Sequence, residues 1–230
     1  MAVDGIGFIL RDGELRAIIG PNGAGKTTFF NLITGRLSPT RGRVYFKGKD
    51  ITNLTPNEIC QKGIARTFQI TSIFPNISVY ENIWAAAQAK KRYLSPFIDS
   101  FRLKDVQGKV DEILHLVRLG EKAREIASNL SHGDQRLLEI AIGLATNPDL
   151  LLLDEPTAGM SLKETKEIVE TIRRLSRVLT IVIVEHDMSV VMELAHTISV
   201  FDLGRVIAEG PPEMIKEDKR VQEVYLGVRQ

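Results

Sequence analysis

A chain of 230 residues has room for one large domain or two small ones, and its 30 Lys and Arg against 29 Asp and Glu give a formal net charge of +1, with no polybasic footprint for nucleic acid or anionic lipid. The single cysteine, Cys60, excludes an internal disulfide framework and suits a reducing compartment. No apolar run approaches the roughly 20 residues that span a bilayer, and the N-terminus lacks the basic-then-apolar pattern of a signal peptide, so the chain is expected to be soluble and cytosolic and to meet a membrane only through a partner.

Apolar, β-branched runs alternate with helical patterns. Strands are expected at residues 16–19, 43–46, 64–68, 150–153, 179–184 and 197–201, several of them apolar throughout, as in parallel strands covered on both faces. The first runs into Gly20-Pro21-Asn22-Gly23-Ala24-Gly25-Lys26-Thr27-Thr28, which fits G-x-x-x-x-G-K-[ST] between a strand and a helix. There the glycines let backbone N–H groups converge on phosphate oxygens, helped by the helix dipole. Lys26 is placed to reach the β- and γ-phosphates, and Thr27 to ligate Mg²⁺. Arg41-Gly42-Arg43 and Lys47-Gly48-Lys49 read as turns flanking a short strand, hence a small antiparallel sheet.

Helix starts are marked by three capping boxes, Thr55 with Glu58 and Pro56 at the first helical position, Ser78 with Glu81, and Ser161 with Glu164. Residues 71–130 lack β-branched runs and read as helices at 79–91, 106–118 and 121–128, joined by a connector at 94–101. The run Lys90-Lys91-Arg92 reads as a solvated helix face. The expectation is one α/β domain over residues 1–230, with a core of residues 1–70 and 131–230 and an inserted helical subdomain of residues 71–130. Four leucines end in Asp154-Glu155, a strand end where ligands collect in open parallel sheets. Asp154 suits Mg²⁺, directly or through water, and Glu155 suits polarisation of the water that attacks a γ-phosphate. Leu130-Ser131-His132-Gly133-Asp134-Gln135 opens another helix, near Asp134. Ser131 can cap it, and Gly133 permits close approach of an anion.

The phosphate loop, this segment, the leucine-rich strand with Asp154-Glu155, and Val184-Glu185-His186-Asp187 occur in the order seen in ABC-type ATPases, which the chain resembles over essentially its whole length. Leu130 to Gln135 resembles the family's LSGGQ signature. Gln69 matches its Q-loop and His186 its switch histidine. The resemblance implies a P-loop NTPase core that binds ATP and Mg²⁺ and pairs head to tail with a second ATPase subunit, the same or homologous. Each ATP would touch Pro21, Asn22, Gly23, Ala24, Gly25, Lys26, Thr27 and Thr28 of one copy and Ser131 and Gly133 of the other. Gln69 would sense the γ-phosphate or Mg²⁺, Glu155 would activate water, and His186 would bridge the γ-phosphate and the catalytic region.

Gly63-Ile64-Ala65-Arg66-Thr67-Phe68-Gln69, Leu137 to Ala141, Ala158-Gly159-Met160, Glu185-His186-Asp187-Met188 and the C-terminal stretch 221–227 look like the ATP-binding subunits of branched-chain amino acid importers. Membrane permease subunits are then the implied partners, docking near Phe74-Pro75 and Tyr80, and no nucleic acid is expected. Urea and lipopolysaccharide transporters share parts of the pattern. A soluble ABC ATPase for metal-cluster assembly is the alternative outside transport. His132 and Asp134 depart from the usual Gly and Gln of the signature, and Ser161 stands where many members place Asp. The resemblance also places a first strand and an adenine-stacking aromatic ahead of the stretch at Ala2 to Gly5. Neither is evident, so weakened adenine recognition with intact phosphate binding is expected.

Overall fold

The computed structural model describes residues 2–67, 73–89 and 100–226. Five parallel strands, β1 (Leu15–Ile19), β4 (Ile64–Arg66), β5 (Leu150–Asp154), β6 (Thr180–Val184) and β7 (Thr197–Asp202), lie in the order β4-β5-β6-β1-β7, and β8 (Arg205–Gly210) adds antiparallel to β7. The fully buried runs LRAII, LLLLD and TIVIV make the three central strands, β1, β5 and β6. Alternate residues serve opposite faces. Leu151, Leu153, Ile181 and Ile183 join the larger core, while Leu150, Leu152, Val182 and Val184 join the smaller one with Phe29, Phe30 and Ile59.

Helix α1 (Lys26–Ile33) follows β1 directly, and α2 (Pro56–Gln61) starts at the Thr55–Glu58 capping box, in which both reciprocal bonds form. Between them β2 (Tyr45–Phe46) and β3 (Lys49–Asp50) make the small antiparallel sheet. Of the strand expected at 43–46, Tyr45 and Phe46 form β2, and Val44 O accepts from Ile51 N–H at 2.9 Å beside it. The expected strand at 64–68 is β4 as far as Arg66; its last residue, together with Gln69, lies outside the described residues. β8 was absent from the expected strand set. A two-residue turn, Leu203-Gly204, with φ of 45° and 78°, folds it back on β7.

The segment between β4 and β5 holds α3 (Val79–Ala89), α4 (Ser100–Leu116) and α5 (His132–Ala145). Two corrections to the sequence reading fall here. Helix α4 begins at Ser100, inside the stretch read as a connector, and ends where Arg118 takes a left-handed φ of 59° and Leu119 N–H donates to Leu114 O at 2.9 Å. The run 90–92 and the remaining connector, 94–99, lie outside the described residues.

The helix expected at 121–128 does not form. Two single 3-10 turns, Gly120–Lys122 and Ala127–Asn129, stand in its place. The backbone between them is committed across the chain: Val79 N–H donates to Glu125 O and Tyr80 N–H to Ala123 O, both at 2.9 Å, and Ala127 N–H donates to Ile77 O at 3.0 Å. The Ala127 N–H that an i to i+4 ladder would give to Ala123 O is spent on Ile77 instead. The helices α6 (Leu162–Leu175), α7 (Met188–Leu194), α8 (Pro212–Glu217) and α9 (Lys219–Leu226) complete the order. Among the described residues no helix is long and apolar enough to cross a membrane.

Candidate active site

Residues 20–28 wrap from the end of β1 into α1. Gly25 sits at the helix N-cap with φ 100°, and a Cβ there would lie 2.3 Å from the Ala2 carbonyl oxygen, so both backbone conformation and space demand glycine. The loop is held by Ala24 N–H to Pro21 O at 3.2 Å and Gly204 N–H to Ala24 O at 3.0 Å. Lys26 is buried, and its ammonium donates to Gly20 O at 2.6 Å and to Pro21 O at 3.0 Å, folding back over the loop. Burial pulls the Lys26 ammonium below its usual value, while the nearby Glu155 and Asp154 carboxylates push it up. Thr27 is exposed and Thr28 half-buried.

Both acids stand at the end of β5. Asp154 is buried and accepts from Arg66 Nη2 at 2.8 Å. Glu155 follows in the left-handed region at φ 47°, a conformation that costs a non-glycine residue on the order of 1 kcal/mol or more and clusters at functional sites. Its backbone is fixed by Glu155 N–H to Val184 O at 2.9 Å, Ala158 N–H to Glu155 O at 3.2 Å, and Arg136 Nη2 to the same carbonyl at 3.2 Å. The turn aims the carboxylate at the next strand end, where His186 Nε2 lies 2.6 Å from Glu155 Oε1. One flank of this pair opens into a groove of about 450 Å³ lined by Met160, Leu162, Lys166, Asp187 and Glu193 among others.

Ser131 and Gly133 stand at the start of α5, where Ser131 bonds within the helix's first turn and Gly133 bonds to α6. Ser131 caps α5, accepting from Asp134 N–H at 3.2 Å, and its hydroxyl donates to Asp134 Oδ2 at 2.7 Å. The Asp134 that replaces the usual glutamine is thus an N-terminal carboxylate of the helix, paired in addition with Lys122. Gly133 N–H donates to Glu164 Oε1 at 3.0 Å, and a Cβ on Gly133 would meet Glu164 Cγ at 2.8 Å. The same Glu164 closes the capping box of α6 through Ser161. An anion therefore already sits against the Gly133 amide. The expected start at Asp134 is two residues late, because Ser131 itself is the cap.

Three polar residues with structural weight here were not singled out individually in the sequence. Arg66 and Glu185 lie inside quoted runs, and Asn82 lies on α3. Glu185 is buried and accepts from Thr157 N–H at 2.9 Å, Thr157 Oγ1 at 2.7 Å and His186 N–H at 3.1 Å, so it ties the turn after Glu155 to the turn carrying His186. The signal for Arg66 and Glu185 was present: each is a charged residue ending or following an otherwise apolar strand.

Among the described residues no group of three or more His, Cys, Asp or Glu is arranged to hold a metal ion. One hydroxyl and one carboxylate, Thr27 and Asp154, suit a hard ion such as Mg²⁺ that takes its other ligands from phosphate and water.

A phosphate loop on an open, largely parallel sheet, with an acid-ended central strand beside it, defines a P-loop NTPase. Residues 3–158 match the ABC transporter family, and residues 205–229 match the branched-chain amino acid ATP-binding cassette transporter family. The high-affinity branched-chain amino acid transport ATP-binding protein LivG of Salmonella typhimurium is 40% identical over 99% of this chain and 92% of its own length. A solved ATP-binding cassette of an ABC transporter in its ADP conformation superposes with a TM-score of 0.85 at 33% identity, covering 98% of this chain and 92% of that one. A dimeric cassette in a post-hydrolysis state, bound to ADP and Pi, superposes with a TM-score of 0.78 at 27% identity, covering 92% and 90%. The chain belongs to the ABC transporter family, as an ATP-binding and ATP-hydrolysing subunit, in agreement with the resemblance carried by the ordered motifs.

Proposed function

We propose that the chain powers an importer of branched-chain amino acids, peripheral on the cytoplasmic face of the inner membrane through permease subunits. The Glu155–His186 contact at 2.6 Å carries the reading of hydrolysis, because a carboxylate suited to act as general base meets a histidine at adjacent strand ends. The likeness to LivG and the match over residues 205–229 support the cargo.

In this reading the backbone of residues 21–25 and the side chains of Lys26, Thr27 and Thr28 hold the triphosphate. Lys26 turns from the Gly20 and Pro21 carbonyls to the phosphates. Glu155 orients and deprotonates the attacking water, and His186 holds Glu155 in place. Thr27 and Asp154, with Gln69, would hold Mg²⁺, which when bound would supply positive charge against the phosphates. Ser131 and Gly133 face the nucleotide of a second ATPase subunit, as the existence of dimeric cassettes among similar structures supports. Residues 71–130, with α3 and α4, form the permease-facing subdomain, with Phe74, 62% exposed, on its docking side.

The test is leucine uptake by vesicles carrying the chain with its permeases. Glu155→Gln is expected to lower ATP turnover by about 10² to 10⁴ and to stop uptake while ATP still binds. Uptake that continues at the parental rate would sink the reading. ATP turnover with no leucine uptake by the intact protein would leave the ATPase and remove the cargo.

A further inference from the structure

We infer that Arg66 is a positioning residue for the metal half of the site, holding Asp154 on β5 at a fixed distance from the helix that carries Thr27. The inference rests on the reading of Thr27 and Asp154 as the Mg²⁺-holding pair. Arg66 ends β4, next to β5 in the sheet, with Arg66 opposite Leu152 in register. Its guanidinium is used as a fork. Nη2 donates to Asp154 Oδ2 at 2.8 Å, while Nη1 donates to Asn31 Oδ1 at 2.7 Å and approaches Thr34 Oγ1 at 3.4 Å.

Thr27 and Asn31 are four residues apart on α1, so they lie on one face of the helix, one turn from each other. The fork therefore joins the strand end bearing Asp154 to the helix face bearing Thr27. Its plane is fixed from a third side by the Phe30 ring, whose centroid is 5.3 Å from the guanidinium carbon. The Arg66 and Asp154 side chains are 6% and 5% exposed, so little solvent competes for these bonds. A lysine offers a point charge on a flexible stem and cannot span two acceptors in this planar manner.

A guanidinium bonded to one carboxylate oxygen leaves the other for the ion and restricts rotation of the carboxylate about its last torsion. Groups of this kind around a metal ligand typically alter metal affinity by about 10- to 100-fold when removed.

The experiment measures how much Mg²⁺ tightens ATP binding in the full chain, with Glu155→Gln present throughout to halt turnover. ATP affinity is determined by equilibrium dialysis in EDTA and again in excess Mg²⁺, and the ratio is the coupling between the two ligands. Arg66→Lys is expected to lower the ratio about tenfold and to leave the EDTA affinity unchanged. Asn31→Ala, which cuts the helix side of the fork and spares the buried ion pair, is expected to lower it by less in the same direction. It keeps the test open should the Arg66 variant fail to fold. A folded variant with a lower melting temperature and an unchanged or larger ratio overturns the inference, since a merely structural bond would move stability alone. Asp154→Asn is run in parallel. If it leaves the ratio unchanged, the metal reading itself is lost; if it lowers the ratio and Arg66→Lys does not, that reading stands and the role of Arg66 falls.

Discussion

At Glu185 burial and hydrogen bonding act in opposite directions. Burial raises its carboxyl above the ordinary glutamate range, against the bonds from Thr157 and His186 that lower it. The folded state then holds the proton more tightly than the unfolded chain does. Its contribution to stability is complete below the unfolded value of about 4.3 and is lost as pH rises through the raised folded value. Urea midpoints taken across that window should fall with pH in the parent and fall less in Glu185→Gln. Identical slopes in the two proteins would show that Glu185 ionises in the fold as it does in water. The sequence identified Glu155 and His186 by position in ordered motifs, but not Glu185 between their turns. A carboxylate beside a switch histidine reads as a second catalytic acid or as nothing, and only the Thr157 contacts define it as a tether.

At the scale of elements, the loop that follows the Gln69 segment is pinned to α3 by one side chain. Asn82 is fully buried, accepts from Phe74 N–H at 2.8 Å, and donates to Phe74 O and Ser78 O, both at 3.0 Å. The loop is then zipped to residues 123–128, which run into the Ser131 cap of α5. Asn82→Ala leaves those backbone groups without their partner and should cost about 1–3 kcal/mol in urea unfolding. Amide exchange should quicken at residues 73–78. Exchange unchanged there would mean that the backbone zipper alone holds the loop. The three capping boxes were legible because each is a local pattern of four residues. The helix expected at 121–128 was a misreading because its backbone bonds are made to residues 75–80, far back along the chain, which no local pattern records.

At the scale of the whole molecule, Ser131 and Gly133 sit at the start of α5, bonded to Asp134 and Glu164, while the phosphate loop opens at the end of β1. In the proposed pairing these two groups meet the nucleotide of a second ATPase subunit. Glu155→Gln protein is expected to shift from monomer to dimer on adding MgATP in light scattering. ATP binding without a shift would point to a different ATPase subunit as the pair, or to closure that needs the permease. Glu164 is the competitor to be displaced, since its carboxylate holds the Gly133 amide that the partner's phosphate would take. The sequence by itself determined the phosphate loop, the strands of the parallel sheet and the order of the motifs. These follow from hydrophobic runs, glycine positions and caps, all set by neighbours within a turn or a strand. The tertiary structure alone decided which polar groups meet: Arg66 between Asp154 and Asn31, Glu155 against His186, Glu164 against Gly133. Those pairings depend on strand register and helix docking, which bring together groups separated by 31 to 88 residues of chain.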